Sequence, residues 1–323
     1  MADDWREALA LSSPTEERNP RTAEIDRLPA DELVRLVLAE DRGVVAAVEA
    51  AADALAALVD HAVEALTAGR RIHYVGSGTS GRLGVLDAAE LLPTYGVGEE
   101  SVVAHLAGGP GAMLHAVEGA EDDDAAGYRL GGAFAAGDVV VGLAASGRTP
   151  YVGGALRAGR DRGAVTALVS TNPSAPLAAE VDVAVLLDTG PEVITGSTRM
   201  RSATAQKIAL NAFSTALMVR MGRTYSNVMI EVQATNAKLR ARAVRMLVQV
   251  TGQGPERCAE VLADADGEIR TALVALLAGR DVVRAREALR DTPADPARVA
   301  DPGGVRSAVA ALAGDGSDTA SPA

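Results

Sequence analysis

The chain has 323 residues, long enough to bury a large core, and 48% of them are apolar but only 2% aromatic, so that core is built from Ala, Val, Leu and Ile. A net charge of −12, with the 31 basic residues scattered along the chain, excludes broad electrostatic binding to nucleic acid or to an acidic membrane surface. One cysteine, Cys258, excludes an intramolecular disulfide and a multi-cysteine zinc site. Met1-Ala2-Asp3-Asp4 carries no basic, apolar leader and no apolar run of spanning length follows, so we expect a cytoplasmic protein.

In chain order, residues 1–50 give a polar arm (Ser12-Ser13-Pro14-Thr15-Glu16-Glu17-Arg18-Asn19-Pro20) and then a helix from about Asp31, with Leu33, Leu36 and Val37 at helical spacing. A second helix is predicted from Arg42 to near Gly69. Between 51 and 225, five near-continuously apolar runs (71–75, 101–107, 138–144, 164–170 and 181–187) alternate with helical segments. Such runs suit parallel strands covered on both faces, and the alternation predicts an α/β fold with a doubly wound parallel sheet. From 226 to 296 the strand signal ends. Val244, Leu247, Val248, Cys258, Val261, Leu262, Ile269, Leu273, Leu276 and Leu277 predict a small helical C-terminal domain there. The tail, 297–323, is Ala, Asp, Gly, Pro and Ser with little to bury, and is expected to be disordered.

Two hydroxyl-rich glycine loops follow predicted strands. Gly76-Ser77-Gly78-Thr79-Ser80-Gly81 follows Arg71–Val75, and Ala145-Ser146-Gly147-Arg148-Thr149-Pro150 follows Asp138–Ala144. Glycine lets the backbone approach a ligand, and hydroxyls with helix-start amides bond an anion, so the pair suits a phosphorylated small molecule. Gly76, Gly78 and Gly81 also match a dinucleotide fingerprint, but the second strand ends Leu106-Ala107-Gly108-Gly109 without the acid that holds a ribose. A third helix start, Thr195-Gly196-Ser197-Thr198, serves equally as a cap or as a ligand contact.

Two carboxylates are candidates for proton transfer. Leu83, Leu86 and Glu90 share one helical face, and Pro93 is expected to end that helix. An acid on an apolar stripe near a helix C-terminus has a raised pKa, as a general acid needs, while the plain reading is a side chain reaching out to water. Leu114, Val117 and Glu121 repeat the pattern, before the acids Asp122, Asp123 and Asp124, and the plain reading there is a solvated helix end. His115 lies on the same predicted helix, and Glu192 is a reserve acid. His61, His73, His105 and His115 lack close ligand spacing, and His73 and His105 fall in strands, where core histidines are the usual case. No metal site or covalent nucleophile is expected.

The cradles with the Ser197-Thr198 helix start resemble a sugar isomerase (SIS) domain. The resemblance narrows to the N-acetylmuramic acid 6-phosphate etherases. It rests on Thr15–Pro20, Gly76–Gly84, Asp87-Ala88-Ala89-Glu90, Pro93–Val97, His115–Asp122, Ala144–Tyr151 and Thr195–Met200, and it spans about 15 to 290. Leu91-Leu92 stands where relatives often carry Cys-Pro. The resemblance implies elimination of lactate from carbon 3 of the open-chain sugar and rehydration, without metal or redox cofactor. It assigns Glu90 as the acid that protonates lactate and Glu121 as the base at carbon 2. Ser77, Gly78, Thr79, Ser80, Ser146, Gly147, Arg148, Thr149, Ser197 and Thr198 would hold phosphate and sugar. It also implies a homodimer. Two other readings remain: a non-catalytic phosphosugar sensor like the glucokinase regulatory protein, which would have a second such domain or lack the acids, and an aldose–ketose isomerase.

Overall fold

The computed structural model describes residues 13–232 and 237–314. The chain forms two compact units, one of residues 1–88 with 99–214 and one of residues 89–98 with 215–323.

The first unit is built on five parallel strands: β1 (Ile72–Gly76), β2 (Val102–Leu106), β3 (Val139–Leu143), β4 (Val165–Ser170) and β5 (Val183–Leu186). Their order is β2-β1-β3-β4-β5, the doubly wound arrangement expected. Every residue of β1 and β3 is buried, which accounts for their unbroken apolar character. Helix α1 (Ala30–Asp41) is followed by α2 (Val44–Glu49) and α3 (Ala52–Thr67). The second expected helix is thus two, broken at Ala50-Ala51. Leu55, Leu58, Val59 and Ala62 form the buried face of α3.

Small residues set how closely the other helices approach. On one face of the sheet α6 (Pro150–Asp161) packs on β3, where a Cβ at Gly142 would lie 2.6 Å from Val152 Cγ1. On the other, α4 (Gly78–Tyr95) packs through Gly84 against Tyr74 and Leu143, and the Phe213 ring of α7 (Arg201–Arg220) meets Tyr74 edge-on. The short α5 (Asp124–Arg129) lies along α6. Contrary to expectation, α4 runs two residues past Pro93, ending at Tyr95 before Gly96 with φ +66°.

The N-terminal arm belongs to this unit. Thr15 and Asn19 are buried, Thr22 Oγ1 donates to the Val193 carbonyl at 2.8 Å, and Gly196 N donates to that of Thr15 at 2.8 Å. Glu40 ties it down, accepting from Asn19 Nδ2 at 2.7 Å and from Arg21 at 2.6 Å. These bonds, led by the Arg21 guanidinium, hold the Glu40 carboxyl down at about 2.

The second unit is helical apart from a two-stranded antiparallel ribbon, β6 (Thr224–Tyr225) with β7 (Val228–Met229). Helices α8 (Ala237–Thr251), α9 (Pro255–Asp264), α10 (Ile269–Ala278), α11 (Val282–Asp291) and α12 (Val305–Gly314) close around Leu247, Cys258, Val261, Ile269, Leu273 and Leu312. Helix α12 corrects the expectation of disorder from 297. Val305, Ala308 and Leu312 are buried at helical spacing, and Asp301 accepts from Arg306 N, Ser307 N and Ser307 Oγ at the helix start. Residues 315–323 of that call lie outside the described residues. Among the described residues no helix is long and apolar enough to cross a membrane.

Candidate active site

Strand order reverses between β1 and β3, so the loops leaving their carboxyl ends diverge to opposite faces and open a crevice between them. Both glycine loops of the sequence lie there. The first enters α4 and the second enters α6, and first-turn amides of a helix have no partner within it, which makes each start an anion site. The approach of α4 to β1 demands glycine on both sides: a Cβ on Gly81 would stand 2.5 Å from the Gly76 carbonyl and 2.5 Å from Leu106 Cδ1.

A cavity of about 610 Å³ fills this crevice. Ser77, Gly78, Thr79 and Ser80 line it from the first loop, Ser146, Arg148 and Thr149 from the second, and Thr198 from the third. Three segments spread over some 120 residues of sequence thus meet in one site. Ser80 is held in place within it: its Oγ donates to Gln206 Oε1 at 2.8 Å, while Gln206 Nε2 donates to the Val169 carbonyl. Gly147 and Ser197, expected as contacts, do not line the cavity. Gly147 has φ +66° and a Cβ there would overlap Ala175, so this glycine shapes the turn.

The third helix start is also not a cap. Helix α7 begins at Arg201, and buried Glu192 accepts from Arg201 N and Ser202 N at 2.9 Å each. A carboxylate across the first amides satisfies them and the positive helix end together. Glu192, the reserve acid, is therefore occupied as the capping group.

Glu121 lines the main cavity, but not from a helix. After a 3-10 turn at Pro110–Met113 the backbone is irregular up to α5, with Gly119 at φ +72°. The shared face of Leu114, Val117 and Glu121 does not form, and Leu114 is 83% exposed. What fixes Glu121 is its own carbonyl, which accepts from Tyr151 N at 3.0 Å at the start of α6. Its Oε2 lies 3.5 Å from Ser77 Oγ, longer than a strong hydroxyl–carboxylate bond.

Glu90 lies on the last turns of α4 and lines neither cavity of the first unit. It is exposed, and Leu86 one turn before it is 43% exposed, so the single chain lacks the apolar surround that sequence reasoning gave this acid. Asp87, three residues earlier, is the buried acid of the helix. Tyr74 Oη donates to one of its oxygens and Ser214 Oγ to the other, each at 3.0 Å, and burial raises its pKa against those bonds.

Of the strand histidines, His73 is a core group, as expected, and His105 is half-buried beside it. His73 Nδ1 lies 3.0 Å from His105 Nε2 and His73 Nε2 lies 3.3 Å from Asp138 Oδ2. Burial lowers both, His105 to about 4. Sequence reasoning missed Thr15 and Glu16, which line the main cavity from the arm, and gave Arg82 and Asp87 no role of their own. Periodicity could not find them, since each depends on a distant partner.

A 2-1-3-4-5 parallel sheet with hydroxyl-rich helix starts at its switch point defines an SIS-type domain, and residues 54–160 match the family model described as the glucokinase regulatory protein N-terminal SIS domain. Among curated relatives, the N-acetylmuramic acid 6-phosphate etherase of Thermobifida fusca (strain YX) is 54% identical over 267 residues, which is 83% of this chain and 88% of the relative. That of Pectobacterium atrosepticum is 49% identical over 278 residues, 85% of this chain and 92% of the relative. Among solved structures, a phosphoheptose isomerase from Francisella tularensis aligns at a TM-score of 0.47 and 13% identity, over 59% of this chain and 98% of that one. The chain belongs to the N-acetylmuramic acid 6-phosphate etherase family.

Proposed function

We propose that the protein cleaves the lactyl ether of N-acetylmuramic acid 6-phosphate, giving N-acetylglucosamine 6-phosphate and D-lactate. The observation that carries this reading is the position of Glu121, a carboxylate standing in the same cavity as three hydroxyl-rich loops and Arg148. The loops hold the phosphate through helix-start amides and hydroxyls, as such starts hold anions generally. Glu121 takes the carbon-2 proton, which the open-chain aldehyde acidifies. The carbon 3–oxygen bond then breaks, and Glu90, which lines neither cavity in the single chain and meets the crevice only in the dimer proposed below, gives its proton to the departing lactate. Water adds across the resulting double bond, hydroxyl to carbon 3 and proton to carbon 2. Membership of the etherase family favours this over sensing or isomerisation, and both glutamates are present.

The exposed face of α4 at Leu86 and Glu90, and the exposed Leu114 and Val117, support a homodimer in which a second copy covers these side chains and gives Glu90 the desolvation that a general acid uses. A monomeric mass by light scattering at assay concentration would refute the dimer. The single cysteine and acidic balance accord with a cytoplasmic location. The function is tested by D-lactate release from wild type, Glu90→Ala and Glu121→Ala, with carbon-2 proton exchange followed in D2O. Glu90→Ala is expected to lose release and keep exchange, and Glu121→Ala to lose both. A folded wild type that binds the sugar phosphate and releases nothing supports the sensor. Ketose formation with lactate still attached supports the isomerase.

A further inference from the structure

A second cavity of about 210 Å³ adjoins the first and shares Ser77, Gly78 and Glu121 with it. Its outer wall carries His115 and Glu118, and Arg82 from the first turns of α4 is the one arginine or lysine in its lining. Arg82 is half-buried, and its Nε donates to the Ala112 carbonyl at 3.0 Å, which fixes one edge of the guanidinium against the 3-10 turn at Pro110–Met113.

We propose that this side cavity takes the lactyl group of the substrate and that Arg82 binds its carboxylate. The inference rests on the etherase reading above. That substrate carries two anionic groups. The hydroxyl-rich loops of the larger cavity suit the phosphate, which leaves the lactyl carboxylate to be placed. The lactyl oxygen is bonded to carbon 3, next to the carbon whose proton Glu121 removes. A group on carbon 3 must therefore lie against Glu121, and Glu121 is part of the wall common to the two cavities. Glu118 and Glu121 would repel a carboxylate entering here, so a cation is needed to admit it, and a guanidinium matches a carboxylate with parallel N–H donors. Glu118 is exposed and screened by water, whereas half-buried Arg82 acts through less solvent. Held at its carboxylate, the leaving group has its ether oxygen fixed relative to the sugar ring.

The test compares wild type, Arg82→Met and Arg82→Lys on N-acetylmuramic acid 6-phosphate and on its lactamide analogue, in which the carboxylate is a neutral amide. Affinity for N-acetylglucosamine 6-phosphate, which has no lactyl group, is measured alongside. Loss of a charge-assisted bidentate contact predicts a fall of about 10- to 100-fold in kcat/KM for Arg82→Met on the natural substrate. The preference of wild type for carboxylate over amide should largely vanish in Arg82→Met and partly persist in Arg82→Lys. Binding of N-acetylglucosamine 6-phosphate should be unchanged in both variants. Equal losses on carboxylate and amide substrates would overturn the proposal and leave Arg82 as a tether for the Pro110–Met113 turn. Parallel loss of N-acetylglucosamine 6-phosphate binding would overturn it in favour of the N-acetyl group as occupant. A wild type that releases neither lactate from the natural substrate nor lactamide from the analogue would instead remove the etherase reading itself.

Discussion

Asp87→Ala takes away a buried acceptor shared by two donors, and its cost can be worked from the contacts. Asp87 and Tyr74 are 4% and 1% exposed, so neither Asp87 nor the Tyr74 hydroxyl has water to fall back on. Two hydrogen bonds to a charged group are lost, at about 1.5 kcal/mol each near the low end of the usual range, and the stranded Tyr74 hydroxyl adds about 1–2 kcal/mol. Relief of the buried charge returns about 1–2 kcal/mol, since desolvation is the leading influence on Asp87. The net expectation is a loss of about 3 kcal/mol, against about 1 kcal/mol for Asp87→Asn, which keeps an acceptor. In Tyr74→Phe/Asp87→Ala the stranded hydroxyl is gone and the shared bond is lost only once, so the double variant should cost about 3 kcal/mol less than the sum of the singles. Urea unfolding followed by far-UV circular dichroism at pH 7, with unchanged m-values, reads these differences from the midpoints. The pH dependence has a defined sign. The pKa is raised in the folded chain, so folded protein holds this proton more tightly than unfolded protein, and the contribution of Asp87 is lost as pH rises from about 3.8 through the folded value. Relative to Asp87→Asn, wild type should therefore gain stability on acidification through that window. A cost below about 1 kcal/mol for Asp87→Ala, or additivity within about 0.5 kcal/mol with Tyr74→Phe, would refute the shared-acceptor account.

Other outcomes follow from the same contacts. Glu192→Ala removes the cap of α7 and should cost about 1–2 kcal/mol by urea unfolding while carbon-2 proton exchange persists; loss of exchange in a folded variant would return Glu192 to the chemistry. Gly81→Ala places a methyl 2.5 Å from the Gly76 carbonyl and should abolish measurable sugar-phosphate binding by calorimetry, whereas near-normal affinity would show that α4 can shift without cost to the site. Burial lowers His73 and His105 in the folded chain, so their neutral forms cost nothing above pH 6.5, and stability should fall as pH drops from there towards about 4. His105→Gln should flatten that slope in a pH series of thermal midpoints, and an unchanged slope would assign it to other groups. Glu40→Gln weakens the tie to Arg21 and Asn19, and limited proteolysis should cut the arm near residues 16–22 faster than in wild type.

The sheet was legible because its strands are buried on both faces. Ile72–Gly76 and Val139–Leu143 have no exposed side to break their apolar runs, and each ends in a loop whose glycines mark the site. The etherase blocks led to the right family. Glu121 was found with the wrong local structure: Leu114 and Val117 sit at helical spacing before it, but Gly119 takes a positive φ and no neighbouring element covers Leu114. Glu192 was misread because its capping bonds reach nine and ten residues ahead, well beyond the usual cap position. Asp87 gained its meaning from Ser214, 127 residues away, and no local pattern carries such information. Helix α12 was missed because its buried face includes Ala308, a residue that also suits a solvated tail.

Helix α4 begins at Gly78 in the first unit and ends at Tyr95 in the second, and residues 89–98 of the helical unit are made long before the rest of it at 215–323. The first unit lacks α7 until Ser214 has left the ribosome, and the second holds one early strip of chain that must wait for its core. Cutting the gene between the two units would divide two helices, α4 and α7, rather than a linker. The protein is two compact bodies in space and one indivisible piece in inheritance, and its growing chain must keep that early apolar strip from aggregating until the last helices arrive.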